Sequence, residues 1–520
     1  MANLSDHDLR QMDPTWQQRQ PEDTVRGLLA RALDDLRQAR DRLNQSPTNS
    51  SRPPGSMEPW RRSGGDEAAA SGDAPGEAPA VEAGKSESVT QTGSPAQPGA
   101  ASAAPRGPGK PPGAEGFGRT QKIAFTDTEC HRPLRCAACG KALDATVPLG
   151  AWGGWDCIEL ARLPQAVGLR LAVTRHLLMQ QRCGCGHLSR AQPHCAADDA
   201  AWQGVALGEQ RLLGARLAAM VVFLCLRMRL SRQRVRELMQ VLLGLELSVG
   251  LIDQTVQQAA RAVAPLEDSL VGEIERAALV HVDGTGWREA GLALWLWVLI
   301  VPRTVLFLIG ARTAEMFDNA LGTAFAGVLM SDGYCVYRAR ARRLRCWAHL
   351  LRKLRGLAES SEGRVAIIGS VMLERFEQLK QAVYEARNAD PPCQAPHSAM
   401  APVIEALRGL CERYQDDPHD ALREVAREFV RDWAVIMRPL HEPQLPLTNN
   451  AAERALRHYV IARRISHGSR TPVTSRGYAL LASVIETCRL RSADVIDLLA
   501  QAIDAARKGL PAPPMPAIPA

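Results

Sequence analysis

The spacing of apolar positions changes several times along this chain, and each change marks a boundary. Over residues 1–45 the pattern is helical from 21 onward. Val25, Leu28, Leu29, Leu36 and Leu43 make a stripe, Ala32 and Ala39 fill its gaps, and charged residues take the other face. Such a stripe needs cover, so the segment is expected to be a short coiled coil or a docking helix. Residues 46–120 lose all periodicity. They are Pro-, Gly-, Ala- and Ser-rich with almost no large apolar side chains, which predicts a disordered linker. Between 121 and 200 the stretch Asp156 to Gln180 alternates and predicts a small hairpin. Between 201 and 275 the period becomes helical. Leu213–Arg227 is one apolar helix. Ser231 caps a second that runs to Leu243, with Val235, Leu238, Met239 and Leu242 as its core face. Gly244 stops it, and Ser248 caps a third with Ile252, Val256 and Ala259 inward. Helix, short Gly-containing turn, helix is helix-turn-helix spacing.

From 276 the pattern turns to strands. Ala278–Asp283, Leu292–Val301 and Thr304–Ile309 come first, Thr313 caps a helix through Leu321, and Gly327–Asp332 is a further strand. Residues 276–360 thus read as the first part of an α/β core, 361–440 as a helical insertion broken near Asp390-Pro-Pro392, 441–510 as closing helices, and 511–520 as a Pro-rich tail.

Composition adds less than distribution. Lys and Arg exceed Asp and Glu by 63 to 56, but the Arg residues are clustered. Arg338 to Arg355 and Arg454 to Arg476 are basic stretches with no acid among the cations, which suits a polyanion such as the backbone of double-stranded DNA. The expected DNA contacts are Arg232, Arg234 and Arg236 on the helix-turn-helix, Arg343, Arg345, His349 and Arg352 in the first stretch, and Arg457, Arg463, Arg464 and Arg470 in the second. The longest apolar runs, Leu217–Leu226 and Leu292–Val301, are too short to span a bilayer, which argues against a membrane protein. The polar N-terminus does not read as a signal peptide, and the thirteen Cys are scattered, so reduced thiols in the cytoplasm are expected. Seven of them lie between 125 and 200. Cys136-Ala-Ala-Cys139-Gly140 has knuckle spacing, and Cys183-Gly-Cys185 offers a second arm. The four form a candidate Zn²⁺ site, against the alternative of reduced structural cysteines.

Three acids carry the candidate chemistry. Asp283 and Asp332 each close an apolar run and precede a Gly; Glu453 lies in Thr448-Asn-Asn-Ala-Ala-Glu-Arg454, which reads as a first helical turn. Hard divalent cations take carboxylate oxygens, and a pair of Mg²⁺ or Mn²⁺ ions so held can cut and join phosphodiester bonds. The order β-β-β-α-β-α, with acids after the first and fourth strands, is that of the ribonuclease-H-like fold. In that fold the two strands lie side by side.

These residues resemble the large, TnpC-type transposase of the bacterial insertion-sequence family numbered sixty-six. Asn49-Ser-Ser-Arg-Pro-Pro54, the Cys136 knuckle, Asp283-Gly-Thr-Gly-Trp287, Ser331-Asp-Gly-Tyr334, Cys346-Trp-Ala-His-Leu350 and Thr448–Arg454 are each similar to a segment of that family. The resemblance implies a DDE transposase with a helical insertion before Glu453 and catalytic roles for Asp283, Asp332 and Glu453. It also implies accessory proteins from the same element and an oligomer on DNA. Asp283 and Asp332 would share one ion and Glu453 would complete the second. The alternative is a catalytically silent relic that occupies element ends. Gly284 departs from the family's Glu, and Cys183-Gly-Cys185 is shorter than the usual Cys-x-x-Cys.

Overall fold

A computed structural model describes residues 21–44, 121, 123–144, 150–161, 169–322 and 325–518; the linker expected over 46–120 lies outside them. It is a mixed α/β structure with two mixed sheets. Helix α1 (Glu22–Asn44) forms where the stripe predicted it, with Leu29 and Leu36 exposed. The smaller sheet holds β1 (Asp127–His131), β2 (Gly150–Leu160), β3 (Leu171–Arg182) and β4 (Leu188–Arg190), and the antiparallel β2–β3 pair is longer than the alternation suggested.

Helices α2 (Ala215–Leu226), α3 (Arg232–Leu243), α4 (Val249–Val263) and α5 (Glu267–Glu275) follow. Ser231 and Ser248 cap α3 and α4 as expected, and Gly244 takes a left-handed conformation that ends α3. Val235 and Met239 are buried, but Leu242 is 66% exposed. The apolar face of α3 is therefore narrower than its sequence implies.

The larger sheet contains β5 (Leu279–Glu289), β6 (Leu292–Val301), β7 (Thr304–Gly310), β8 (Val328–Ser331) and β9 (Arg343–Arg345), in the order β7-β6-β5-β8-β9. β5, β6 and β7 form an antiparallel meander, whereas β8 runs parallel to β5 after the crossover helix α6 (Ala314–Leu321). Successive residues of β6 point to opposite faces. Trp297, Leu299 and Val301 enter the core shared with α2 and α4, and Leu296, Val298 and Ile300 enter a second core under α11 (Asn450–Ser466) and α12 (Pro472–Leu490). The free edge of β7 is covered by α12, where Ser483 and Thr487 accept hydrogen bonds from the Phe307 and Val305 amides at 2.8 and 3.0 Å. Such cover satisfies backbone groups that an open edge would leave unpaired.

The insertion is a helical unit with its own core: α7 (Trp347–Ala358), α8 (Gly363–Asn388), α9 (Ala401–Tyr414) and α10 (Asp420–His441). Helix α13 (Val495–Arg507) closes against α2 and α4.

Candidate active site

Asp283 does not end its strand. β5 continues through Gly284-Thr-Gly-Trp287 to Glu289, paired throughout with β6, so this acid sits mid-strand. Gly284 pairs with Trp297, and a Cβ there would overlap the indole of Trp295, two residues away on β6. Asp332 directly follows β8. The parallel register pairs His281 with Met330, so Asp283 and Asp332 each lie two residues beyond that pair, at equal height on neighbouring strands. Asp283 accepts from the Gly284 amide at 2.8 Å, and Asp332 accepts from the Tyr334 amide at 2.9 Å.

Glu453 comes from the first turn of α11. Asn449, just before that helix, does not use its side chain as an ordinary cap. It is fully buried, donates from Nδ2 to the Val282 carbonyl at 2.7 Å, and places Oδ1 3.1 Å from His281 Nδ1. Its own amide donates to Cys346 Sγ at 3.2 Å. The start of α11 is thereby tied both to β5, one residue from Asp283, and to the residue preceding α7. Near the other end of α11, Arg463 donates to Thr285 Oγ1 at 3.0 Å and to the Gly286 carbonyl.

Electrostatics register this convergence. Burial first, and then the nearby charge of Asp332, push the Asp283 carboxyl from the ordinary 3.8 up to about 8; Glu453 adds to the rise. Glu453 Oε1 lies 3.6 Å from both His349 Nδ1 and Arg352 Nη2. Those gaps are too long for hydrogen bonds, and Glu453 Oε1 and His349 Nδ1 are buried with no partner among the described residues. Burial, then Arg352 and Lys353, hold the His349 imidazole down at about 3, so it is neutral at physiological pH. Cys346, His349 and Glu453 each offer one ligand atom within 4.8 Å of the others. Asp283 and Asp332 stand outside that tight group, and Asp283 feels the charge of Glu453.

Several expected DNA contacts lie elsewhere. Arg343 and Arg345 sit on β9, a strand absent from the sequence reading, and both are buried. Arg343 donates to Asp432 at 2.8 Å; Arg345, 1% exposed, pairs with Asp432 and Glu428 of α10. Lys353 adds a 2.6 Å contact to Glu428. These cations fasten the helical insertion to the sheet edge and are not presented to a polyanion. A Cβ on Gly333 would lie 2.6 Å from Arg345 Nη2 and 2.8 Å from Glu428 Oε1, so the turn after Asp332 rests directly on this network. His349 faces Glu453, and Arg463 is committed to β5. Arg232 is paired with Asp253 at 3.3 Å, while Arg234, Arg236, Arg457, Arg464 and Arg470 are exposed.

The four candidate cysteines do meet. Cys136 and Cys185 Sγ lie 3.6 Å apart, Cys139 and Cys183 Sγ lie 3.7 Å apart, and the group as a whole falls within 4.8 Å. The Cys139 amide is the main influence that lowers the Cys136 thiol to about 6, whereas against the Lys141 amide the neighbouring sulfurs raise the Cys139 thiol to about 12, so the sulfurs share their protons unequally. Gly140 and Gly186 take positive φ in the turns that close the two arms.

The sequence reading missed Asn449, the acids of α10 and the β9 strand. An Asn before a helix usually reads as a cap, and Asp432 and Glu428 lie 87 and 83 residues from Arg345. No local signal marks them.

An α/β domain with acids gathered on neighbouring strands and a helical insertion defines the class, and comparison with known proteins places it. Residues 210–476 match the family described as "Transposase IS66 family". The chain belongs to that family, which supports a transposase role. Three relatives from Sinorhizobium fredii (strain NBRC 101917 / NGR234) are similar at 24% identity. "Uncharacterized protein y4qI" matches over 52% of this chain and 55% of its own length, "Uncharacterized protein y4jD" over 50% and 56%, and "Uncharacterized protein y4hP" over 50% and 54%. The chain thus spans about half the length of the curated relatives it matches. Among the described residues no helix is long and apolar enough to cross a membrane.

Proposed function

We propose that this chain is a DDE transposase with a ribonuclease-H-like core. On this reading it cleaves the ends of a mobile element and joins the freed 3′-hydroxyl to target DNA. Asp283, Asp332 and Glu453 would hold two Mg²⁺ or Mn²⁺ ions. The observation that carries this is the parallel pairing of β5 with β8, which sets Asp283 and Asp332 at equal height, together with the Asn449 clamp that brings Glu453 toward them.

The donor set fits divalent cations. A buried Glu453 oxygen without a hydrogen bond and an Asp283 carboxyl raised partly by its acidic neighbours fit a site that holds cations. When bound, the ions activate the attacking oxygen and stabilise the leaving one. The protein's part is positioning: backbone amides orient Asp283 and Asp332, Asn449 fixes the approach of Glu453, and Arg352 supplies positive charge at the rim for a phosphate oxygen.

The exposed Arg234, Arg236, Arg457, Arg464 and Arg470 are proposed to meet the DNA backbone. The four-cysteine cluster is proposed to hold a structural Zn²⁺ that orders the segment between β1 and β4. Accessory proteins of the same element and an oligomeric assembly on paired ends complete the proposal. Incubating the protein with a labelled element end, target plasmid and Mg²⁺ tests it. Joined products are expected; nicked products without joining would reduce the activity to that of a nuclease, and bound but uncut DNA would leave only an end-binding protein.

A further inference from the structure

The smaller sheet carries a second cluster of metal-ligand side chains, separate from the four cysteines. β1 and β3 run parallel with Glu129 opposite His176. His131 lies two residues further along β1, so it shares a face with Glu129. On the other side of β3, Trp155 of β2 lies opposite His176. Three donor atoms result from this register. His131 Nε2 is 2.9 Å from His176 Nδ1, and Glu129 Oε2 is 3.4 Å from the same His176 nitrogen. All three fall within 4.8 Å of one another.

The rings are held as well as aimed. Trp155 stacks on His176 with centroids 4.6 Å apart and 12° between planes, and on His131 at 5.3 Å and 16°. Arg175, next to His176 in sequence, is engaged by Asp156 at 2.8 Å. The glutamate side chain is 60% exposed, so one side of the cluster is open to solvent.

We propose that Glu129, His131 and His176 form a second site for a Zn²⁺-class transition-metal ion, with water completing its sphere. Two imidazoles and a carboxylate are a hard-to-borderline donor set that suits Zn²⁺ and discriminates against the all-oxygen preference of Mg²⁺. Zn–N bonds of about 2.1 Å in tetrahedral geometry put two ligating nitrogens roughly 3.4 Å apart, so the rings need to part by only about half an ångström. The position has a structural consequence. β1 leads from His131 into Cys136, and β3 leads from His176 into Cys183, so an ion here would staple the two strands at the base of both cysteine arms.

Titration of the metal-free full chain with Co²⁺ separates the two sites, because only the cysteine site gives thiolate-to-cobalt charge-transfer absorption. The wild-type protein is expected to take up two equivalents, one with that band and one with weak visible bands alone. His131→Ala should remove the second equivalent and leave the charge-transfer band intact. Glu129→Gln, at an exposed position that folding tolerates, should weaken the second equivalent by at least about tenfold, since losing a ligand costs no less than losing an outer-shell partner. Uptake by wild-type protein of the charge-transfer equivalent alone, or of no cobalt, or a weak-band equivalent unchanged in both variants, would overturn the assignment and leave His131 and His176 as a hydrogen-bonded pair; a weak-band equivalent without the charge-transfer band would support it and count only against the cysteine site.

Discussion

Asn449 donates its side-chain amide to the carbonyl of Val282 at 2.7 Å, so the residue that begins the glutamate helix is bonded to the residue before Asp283. This one contact spans 167 residues of sequence, including the whole helical insertion. Replacing Asn449 by Ala leaves the Val282 carbonyl and the His281 ring without a partner. Each orphaned buried group costs about 1–3 kcal/mol. The expected result is a lower melting temperature and a loss of DNA cleavage larger than any loss of DNA binding. Equal losses of both would make Asn449 a purely structural residue.

The Arg343–Asp432–Arg345–Glu428 network should behave as a buried charge system. Arg345→Met removes the cation shared by Asp432 and Glu428 and leaves them Arg343 and Lys353, a change expected to cost up to about 3–5 kcal/mol. Urea unfolding measures it. A loss below about 1 kcal/mol, as typical of surface pairs, would mean that water reaches the network. Gly333→Ala should also destabilise the chain, because its Cβ would press on Arg345 and Glu428.

Asp283 makes metal binding pH-dependent. Its carboxyl is raised from 3.8 to about 8, so between those values the folded protein holds a proton that the unfolded chain has released. Its contribution to stability is therefore fully present below about pH 4 and is lost as pH rises through 8. Binding of Mn²⁺ or Mg²⁺ must expel that proton. Calorimetry at pH 7 in two buffers of different ionisation enthalpy should show release of close to one proton per protein, and affinity should rise up to about pH 8. No proton release would place the ions elsewhere.

DNA affinity should fall steeply with salt, and the exposed arginines should set the slope. Arg457→Ala and Arg470→Ala are each expected to reduce the log–log salt slope by about 1. An unchanged slope in both would move the interface off α11 and the turn that follows it.

Much of this arrangement was legible in the sequence because it is written in local signals. Ser231, Ser248 and Thr313 cap helices where their hydroxyls were expected to, and the four cysteines converge although Cys183-Gly-Cys185 is short. The apolar runs of β5 and β8 announced the strands that carry Asp283 and precede Asp332, although β5 continues past its acid to Glu289. What could not be read depends on distant partners. Arg343-Leu-Arg345 looks like solvated basic chain until Asp432 and Glu428 arrive from the insertion. Leu242 fits a helical stripe yet stays exposed, since period alone does not say how wide the covering surface is. His349 seemed one more cation in a basic run; burial beside Arg352 makes it neutral and turns it toward Glu453.

Cleavage of a labelled element end by wild-type protein and by Asp283→Asn, Asp332→Asn and Glu453→Gln, in Mg²⁺ or Mn²⁺, tests the central claim most directly. Strand cleavage is expected from wild type, with a loss of at least about a thousandfold in each variant and gel-shift binding retained in all three. Undiminished cleavage by the Asp283→Asn protein would contradict that claim.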